Sequence, residues 1–375
     1  MRYDIVVVGA GPAGIMAAKA AARETSVLLI DENLPGHDPP ACAEGVGDAV
    51  LRSLGIPEKY GWIENRVHNI KVVSPYGNSR ILKMKGLTAL MLNRPKFEAD
   101  LAAQAVAAGA DYWYEHQVTD WFHVNGDNVT TTSDLRTGER QEVHSAVVID
   151  CSGLSGIIAK KAGLHRKLKA SDIGVCAQVR LSSPDMDKDM IELWFGEANW
   201  APRGYCWIFP KRDYANVGIG IQGGQGENAA VDLYAFINSR FHQFECRDLV
   251  RACLPLAPPL EEVTTEKGIM VAGDAARFCI ATTGAGIGMS LWSGRMAGAI
   301  ASSYISKGYP LNNYDRVCRE EIIPKLKRAY ALKERVTKSD PAMQRFYYML
   351  LPGFYLHKLL PRTIEKYGAR NMRFA

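Results

Sequence analysis

The chain has 375 residues, 47% of them hydrophobic and 23% charged, with a formal net charge of +5. That length suggests about two domains, and the composition excludes a largely disordered chain while leaving apolar material for a sizeable core. The charge is uneven, since residues 316–375 hold 14 Lys/Arg against 5 Asp/Glu; such a basic block attracts a nucleic acid, an anionic membrane surface or a phosphorylated substrate, and charge alone does not choose.

In chain order, residues 3–8 form a short β-branched run that reads as a buried parallel strand, followed at once by Gly9-Ala10-Gly11-Pro12-Ala13-Gly14 and an alanine-rich helix through Arg23. Residues 26–31 read as the next strand, with Asp31 at its tip. Residues 32–48 carry three prolines and three glycines and are expected as a long loop. Residues 69–74 and 79–84 read as paired strands around Pro75-Tyr76-Gly77-Asn78, and residues 95–108 as a helix ended by Gly109. A strand-rich stretch follows at 111–114, 118–124, 128–133 and 142–149, with Asn125-Gly126 as a hairpin turn. Residues 172–222 are again strand-like, a helix is expected over 229–244, and a strand at 267–272 leads to a second glycine-rich turn and a helix to Ile305. Residues 5–22 and 286–305 are apolar, but both are glycine-rich and carry a charge, Lys19 and Arg295, so buried helices of a nucleotide fold explain them better than membrane spans.

The glycine turn gains weight from its setting, because it follows a strand, opens a helix and meets an acidic residue at the end of the next strand. Gly9 serves the tight turn, Gly11 the approach of backbone to a pyrophosphate, and Gly14 the packing of the helix. The helix N-terminus then favours phosphate, and Asp31 is placed to accept from ribose hydroxyls. FAD and NAD share this fingerprint. The second site decides between them: a strand ends on Gly273-Asp274, where Asp274 can meet a ribityl hydroxyl, and a helix starting at Gly286 can aim its positive end at the flavin pyrimidine edge. FAD is therefore the expected cofactor. The eight cysteines show no CxxC pair or regular spacing, so neither a metal nor a disulfide framework is expected. Because the first residues enter a strand at once, a cytoplasmic location is expected.

At Pro40-Ala41-Cys42-Ala43-Glu44-Gly45-Val46, Leu92-Asn93-Arg94-Pro95-Lys96-Phe97, Tyr205-Cys206-Trp207-Ile208-Phe209-Pro210-Lys211 with Ala215-Asn216-Val217-Gly218-Ile219-Gly220, and Gly273-Asp274-Ala275-Ala276-Arg277, the chain resembles the geranylgeranyl reductases. The likeness is greatest to the archaeal digeranylgeranylglycerophospholipid reductases, within the wider fold of p-hydroxybenzoate hydroxylase. It implies FAD contacts at Ala13, Asp31, Cys42, Ala43, Gly45, Arg94, Val118, Asp274, Gly286 and Ile287. It also implies that Tyr205, Trp207 and Phe209 line the place of a prenyl chain beside the isoalloxazine. The fold expected is α/β (α+β): a Rossmann-like FAD-binding domain at 1–58, 94–165 and 264–310, an inserted antiparallel-sheet substrate domain at 59–93 and 166–263, and a C-terminal helical basic segment at 311–375. Cys151-Ser152-Gly153 and Ile280-Ala281 depart from the family pattern.

The chemistry expected is reduction of isoprenoid C=C bonds. An isoprenoid offers only C=C and CH groups, so its site must be aromatic and apolar, and the alternation of Tyr205, Trp207 and Phe209 on a strand suits it. Cys42 is the expected proton donor, as a thiol near neutral pH is mostly protonated, with water as the rival and a plain packing role as the bland reading. With no second nucleotide fingerprint, the electron donor is expected to be docked NAD(P)H or a ferredoxin-like protein. The aromatic and basic run at 345–362 would lie on a membrane surface, cap the prenyl tunnel, or simply pack as helices on the core. No nucleic-acid partner is expected. The competing functions are a flavin-dependent monooxygenase or halogenase of the same fold, and a non-catalytic prenyl-binding flavoprotein.

Overall fold

The computed structural model describes residues 1–37, 42–59, 61–84, 86–165, 167–196, 201, 203–224 and 228–338. The chain divides into two compact units: residues 1–38, 95–167 and 257–329 form the first, and residues 39–94, 168–256 and 330–375 the second.

The elements in chain order are β1 (Arg2–Val8), α1 (Pro12–Ala21), β2 (Val27–Ile30), β3 (Gly45–Gly47), α2 (Asp48–Ser53), β4 (Ile63–Val67), β5 (Asn69–Val73), β6 (Ser79–Lys83), β7 (Ala89–Leu92), α3 (Arg94–Ala107), β8 (Asp111–Trp113), β9 (His116–Val124), β10 (Asp127–Asp134) and β11 (Arg140–Asp150). There follow α4 (Ile157–Lys161), β12 (Ile173–Ser182), β13 (Met190–Phe195), β14 (Tyr205–Pro210), β15 (Ala215–Gln222), α5 (Ala229–Arg240), β16 (Glu245–Pro255), β17 (Ile269–Val271), α6 (Ile287–Lys307), α7 (Asn313–Glu321) and α8 (Ile323–Lys338).

The first unit is built on one sheet in the order β8-β2-β1-β11-β10-β9, with β17 also paired to β11. The pairs β8-β2, β2-β1, β1-β11 and β11-β17 are parallel, whereas β9, β10 and β11 form an antiparallel flap. The unbroken apolar runs of β1 and β2 have their cause here: Ile5, Val6, Val7, Leu28, Leu29 and Ile30 are all buried, as strands covered on both faces require. Asn125 and Gly126 both take positive φ, the geometry a two-residue hairpin turn demands. Helices α1 and α6 pack backbone to backbone, because a Cβ on Gly294 or Gly298 would overlap the carbonyl oxygens of Ala13 and Ala17.

The second unit contains a sheet in the order β16-β12-β15-β14-β13-β5-β6 and a three-stranded sheet β3-β7-β4. Apart from the parallel β5-β13 pair, its ladders are antiparallel. One face of the large sheet packs Cys206, Ile208, Val217 and Ile219 against Leu233, Phe236 and Ile237 of α5. Since side chains alternate along a strand, Tyr205, Trp207 and Phe209 point to the other face.

The structure differs from the sequence expectation at four places. Residues 45–47 are not loop but β3, whose glycines pair with β7, and residues 39–58 accordingly group with the second unit. The helix expected over 229–244 stops at Arg240, and β16 follows as an edge strand paired to β12 along its length; its half-exposed, charged pattern hides it from periodicity. Residues 257–263 belong to the first unit, where Asp315 accepts from Val263 N–H at 2.7 Å and from the Thr264 hydroxyl. Residues 311–329 also belong there instead of forming an appendage: Tyr314 is fully buried and donates to Val271 O at 3.2 Å. The run at 345–362 lies outside the described residues.

Candidate functional site

In the first unit, Gly9 adopts φ +94°, and a Cβ there would lie 2.5 Å from Cys151 O, so only glycine fits this turn. A Cβ on Gly14 would overlap Gly9 O, which seats α1 tightly on the turn. Gly11 is the contrast. A Cβ there would meet nothing within 4 Å among the described residues, and Gly11 starts α1 with no side-chain cap. An open backbone before uncapped helical N–H groups is a cradle for phosphate. Asp31 sits at the end of β2, where Ala10 N–H donates to one carboxylate oxygen at 2.5 Å and Asn33 N–H to the other at 2.7 Å; a carboxylate retains lone pairs beyond these two. His116 N–H donates to Asp31 O at 2.9 Å, which brings the start of β9, and with it buried Val118, beside the same strand end.

The second glycine site folds onto this turn. Gly273 at φ +63° opens a 3-10 turn through Ala276, and a Cβ on it would lie 3.0 Å from Ala13 Cβ. Gly286 starts the 21-residue helix α6, with Ile287 as its first residue and no side-chain cap among the described residues. A Cβ on Gly286 would sit 3.4 Å from an Asp274 carboxylate oxygen, so Asp274 lies at that helix start. The first unit thus brings together Gly9, Gly11, Ala13, Gly14, Asp31, Val118, Asp274, Gly286 and Ile287. These residues fit FAD: an open glycine cradle for the pyrophosphate, a carboxylate for ribose and another beside an uncapped helix N-terminus.

Half-buried His165 and buried Asp150 support these turns. His165 Nε2 donates to Ala275 O at 2.5 Å, tying the end of α4 to the Asp274 turn; burial, with Arg277 nearby, pulls its pKa below the ordinary 6.5. Asp150, fully buried at the end of β11, accepts from Ser152 Oγ at 2.6 Å, Ser152 N–H and Ala159 N–H. That is a structural use for the acidic residue preceding Cys151-Ser152-Gly153.

In the second unit, the segment Cys42–Gly45 is held carbonyl by carbonyl. Gln178 Nε2 donates to Cys42 O at 2.9 Å, Asn216 Nδ2 to Ala43 O at 3.2 Å, and Leu92 N–H to Glu44 O at 2.8 Å. Glu44 takes φ +66°, which costs an L residue roughly 1–2 kcal/mol, and its side chain holds it there. One oxygen accepts from Arg94 N–H at 2.8 Å; the other accepts from Asn216 Nδ2 at 2.6 Å and Lys211 Nζ at 2.7 Å. Lys211 is 0% exposed, and its ammonium also reaches Leu92 O and, at 3.5 Å, Glu64. Burial, with Glu64 and Glu44 nearby, pushes the Tyr214 phenol up, keeping it a donor to Glu64 at 3.2 Å.

The aromatic strand meets this segment directly. A Cβ on Gly45 would lie 2.6 Å from Phe209 Cε2, so the phenyl ring rests on the Gly45 backbone. Tyr205 and Trp207 have ring centroids 5.9 Å apart, and Phe195 is 5.5 Å from Tyr205. Tyr205 and Phe209 join an apolar cluster with Met91, Ile191, Phe195 and Val336. Cys42, Ala43, Gly45, Arg94, Tyr205, Trp207 and Phe209 are therefore assembled in one unit. Glu44, Lys211 and Asn216 stand inside the motifs that carry the resemblance, but the sequence assigned them no role and no partner, and Gln178 lies outside those motifs.

Fold and glycine sites together define an FAD-binding flavoprotein oxidoreductase. Residues 172–254 match the geranylgeranyl reductase catalytic domain. Over 99% of its length the chain is 34% identical to the digeranylgeranylglycerophospholipid reductase of Methanothrix thermoacetophila, of which 95% is covered, and over 91% it is 34% identical to that of Methanocella arvoryzae, of which 89% is covered. A solved geranylgeranyl bacteriochlorophyll reductase-like protein from Thermoplasma acidophilum superposes with TM-score 0.86 at 27% identity, covering 96% of this chain and 93% of that one. A flavin-dependent brominase, at 17% identity and TM-score 0.73 over 98% of this chain and 94% of its own, shares the fold alone. The chain belongs to the digeranylgeranylglycerophospholipid reductase family. Among the described residues, no helix is long and apolar enough to cross a membrane.

Proposed function

We propose that this enzyme reduces the C=C bonds of geranylgeranyl chains carried by a phospholipid. The observation that carries the reading is the Phe209 ring of the aromatic strand β14 lying against the backbone of Gly45. An aromatic face offers a prenyl chain dispersion and burial while excluding water, and little else is available to recognise a hydrocarbon. When bound, reduced FAD supplies hydride to one alkene carbon. The protein's share is to hold the chain, keep water out and deliver a proton to the other carbon, because an unactivated alkene forms no enolate that hydrogen bonds could stabilise.

Cys42 is the proposed proton donor. Its half-buried thiol is fixed by the turn in which Glu44 N–H donates to Sγ at 3.2 Å. Tyr205, Trp207 and Phe209 are proposed to line the prenyl chain. The proposed FAD contacts are Gly9, Gly11, Ala13, Gly14, Asp31, Cys42, Ala43, Gly45, Arg94, Val118, Asp274, Gly286 and Ile287. Electrons are proposed to arrive from NAD(P)H or a ferredoxin-like protein, and the basic block at 316–375 suits either an acidic partner or peripheral contact with anionic lipid.

The test is anaerobic. Dithionite-reduced protein mixed with geranylgeranyl lipids is expected to yield products heavier by two hydrogens per turnover, read by mass spectrometry; no gain with any prenyl lipid sinks the reading. Deleting residues 341–375 is expected to weaken binding to anionic liposomes, and undiminished binding removes the membrane role.

A further inference from the structure

Gln178, Gly218 and Trp207 stand in one row across three strands: Gln178 on β12 is paired with Gly218 on β15, and Gly218 with Trp207 on β14. A Cβ on Gly218 would overlap the indole ring. The missing side chain therefore lets the indole lie across β15, and Trp207 Nε1 donates to Gln178 Oε1 at 3.2 Å. The other end of the same amide donates to Cys42 O at 2.9 Å. Gln178 is buried, and its amide orientation is fixed by these two partners, since an indole can only donate and a carbonyl can only accept. We infer that Gln178 is a positioning residue that couples the place of Cys42 to that of Trp207, so that the thiol and the aromatic wall are set by one side chain.

The inference rests on the reading of Cys42 as proton donor, but it makes a separate claim about where that thiol is held. Asn216 and Leu92 N–H fix the next two carbonyls of the segment. Gln178 alone among the described side chains reaches Cys42 O, at the end adjoining residues 38–41. Loss of the amide frees the cysteine first and leaves Glu44 clamped.

The experiment follows thiol alkylation by iodoacetamide in FAD-loaded protein, resolved cysteine by cysteine through peptide mass spectrometry, in wild type, Gln178→Leu, Gln178→Met and Gln222→Leu. Gln222 supplies the control: it is a buried glutamine on the adjoining strand whose amide donates to Ser171 O at 2.8 Å, away from Cys42. Both Gln178 variants are expected to alkylate Cys42 about fivefold faster, the population released by one net hydrogen bond, while buried Cys206 stays protected and Gln222→Leu leaves Cys42 at the wild-type rate. An unchanged Cys42 rate overturns the inference. So does acceleration shared by Cys206 or by Gln222→Leu, which marks general loosening. Cys42→Ala separates the two claims: retained turnover removes the proton-donor role, while a selective change in the Gln178 variants still establishes the positioning.

Discussion

Lys211 is the residue whose replacement tests the architecture of the Cys42–Gly45 segment most directly. Its ammonium is fully buried and spends its donors on Glu44 at 2.7 Å, on Leu92 O and, at 3.5 Å, on Glu64. Lys211→Met keeps the volume and the stem but leaves Glu44, 2% exposed, as a buried carboxylate with Asn216 and Arg94 N–H as its remaining donors. Breaking a buried pair from one side costs about 3–5 kcal/mol, whereas replacing both partners by neutral groups is often near neutral. Lys211→Met and Glu44→Gln are each expected to lower stability by that amount, about 4–6 °C in Tm for a chain of this length. The double variant is expected to fall well short of their sum, with a coupling of at least ~2 kcal/mol. Urea unfolding of all four proteins, compared at constant slope, gives the cycle. Additive losses, or a single-variant loss below ~1 kcal/mol, refute the assignment of this pair as a coupled clamp.

Three further outcomes follow from the first unit. Asp31→Ala removes the acceptor of Ala10 N–H and the proposed ribose partner; FAD is expected to bind about 10–100-fold more weakly, and an unchanged Kd by flavin fluorescence titration dismisses the role. Gly294→Ala puts a methyl into the Ala13 carbonyl, which forces α1 and α6 apart at a cost of about 1–3 kcal/mol; reduced FAD content and a lower Tm are expected, and wild-type values for both count against the close packing. His165 has its pKa lowered by burial, so the unfolded chain takes up its proton at a higher pH than the folded one. Its contribution to stability is complete above about 6.5 and is lost as pH falls from there through the lower folded value. His165→Gln, which keeps a donor for Ala275 O but cannot titrate, is expected to flatten that part of the Tm-against-pH curve; parallel curves for variant and wild type would falsify the assignment.

What the sequence determined by itself is whatever the backbone decides locally. Gly9, Gly14 and Gly273 are legible because a positive φ or a close approach admits no other residue, and the strands around them are legible because burial on both faces gives continuous apolar runs. The alternation of Tyr205, Trp207 and Phe209 likewise shows one aromatic face without any knowledge of what it faces. Tertiary structure alone decided the rest. Glu44 and Lys211 are 167 positions apart, and nothing near either names the other; a buried charge finds its partner only when two strands and a turn converge. The same holds for Gln178, which reaches Cys42 and also Trp207, whose indole lies across the intervening strand because Gly218 there has no side chain. β16 stayed hidden because an edge strand can be polar on its open side, and β3 because three residues are too few for a period to show. Local steric rules are written in consecutive residues, whereas pairing across a sheet is an outcome of the whole fold.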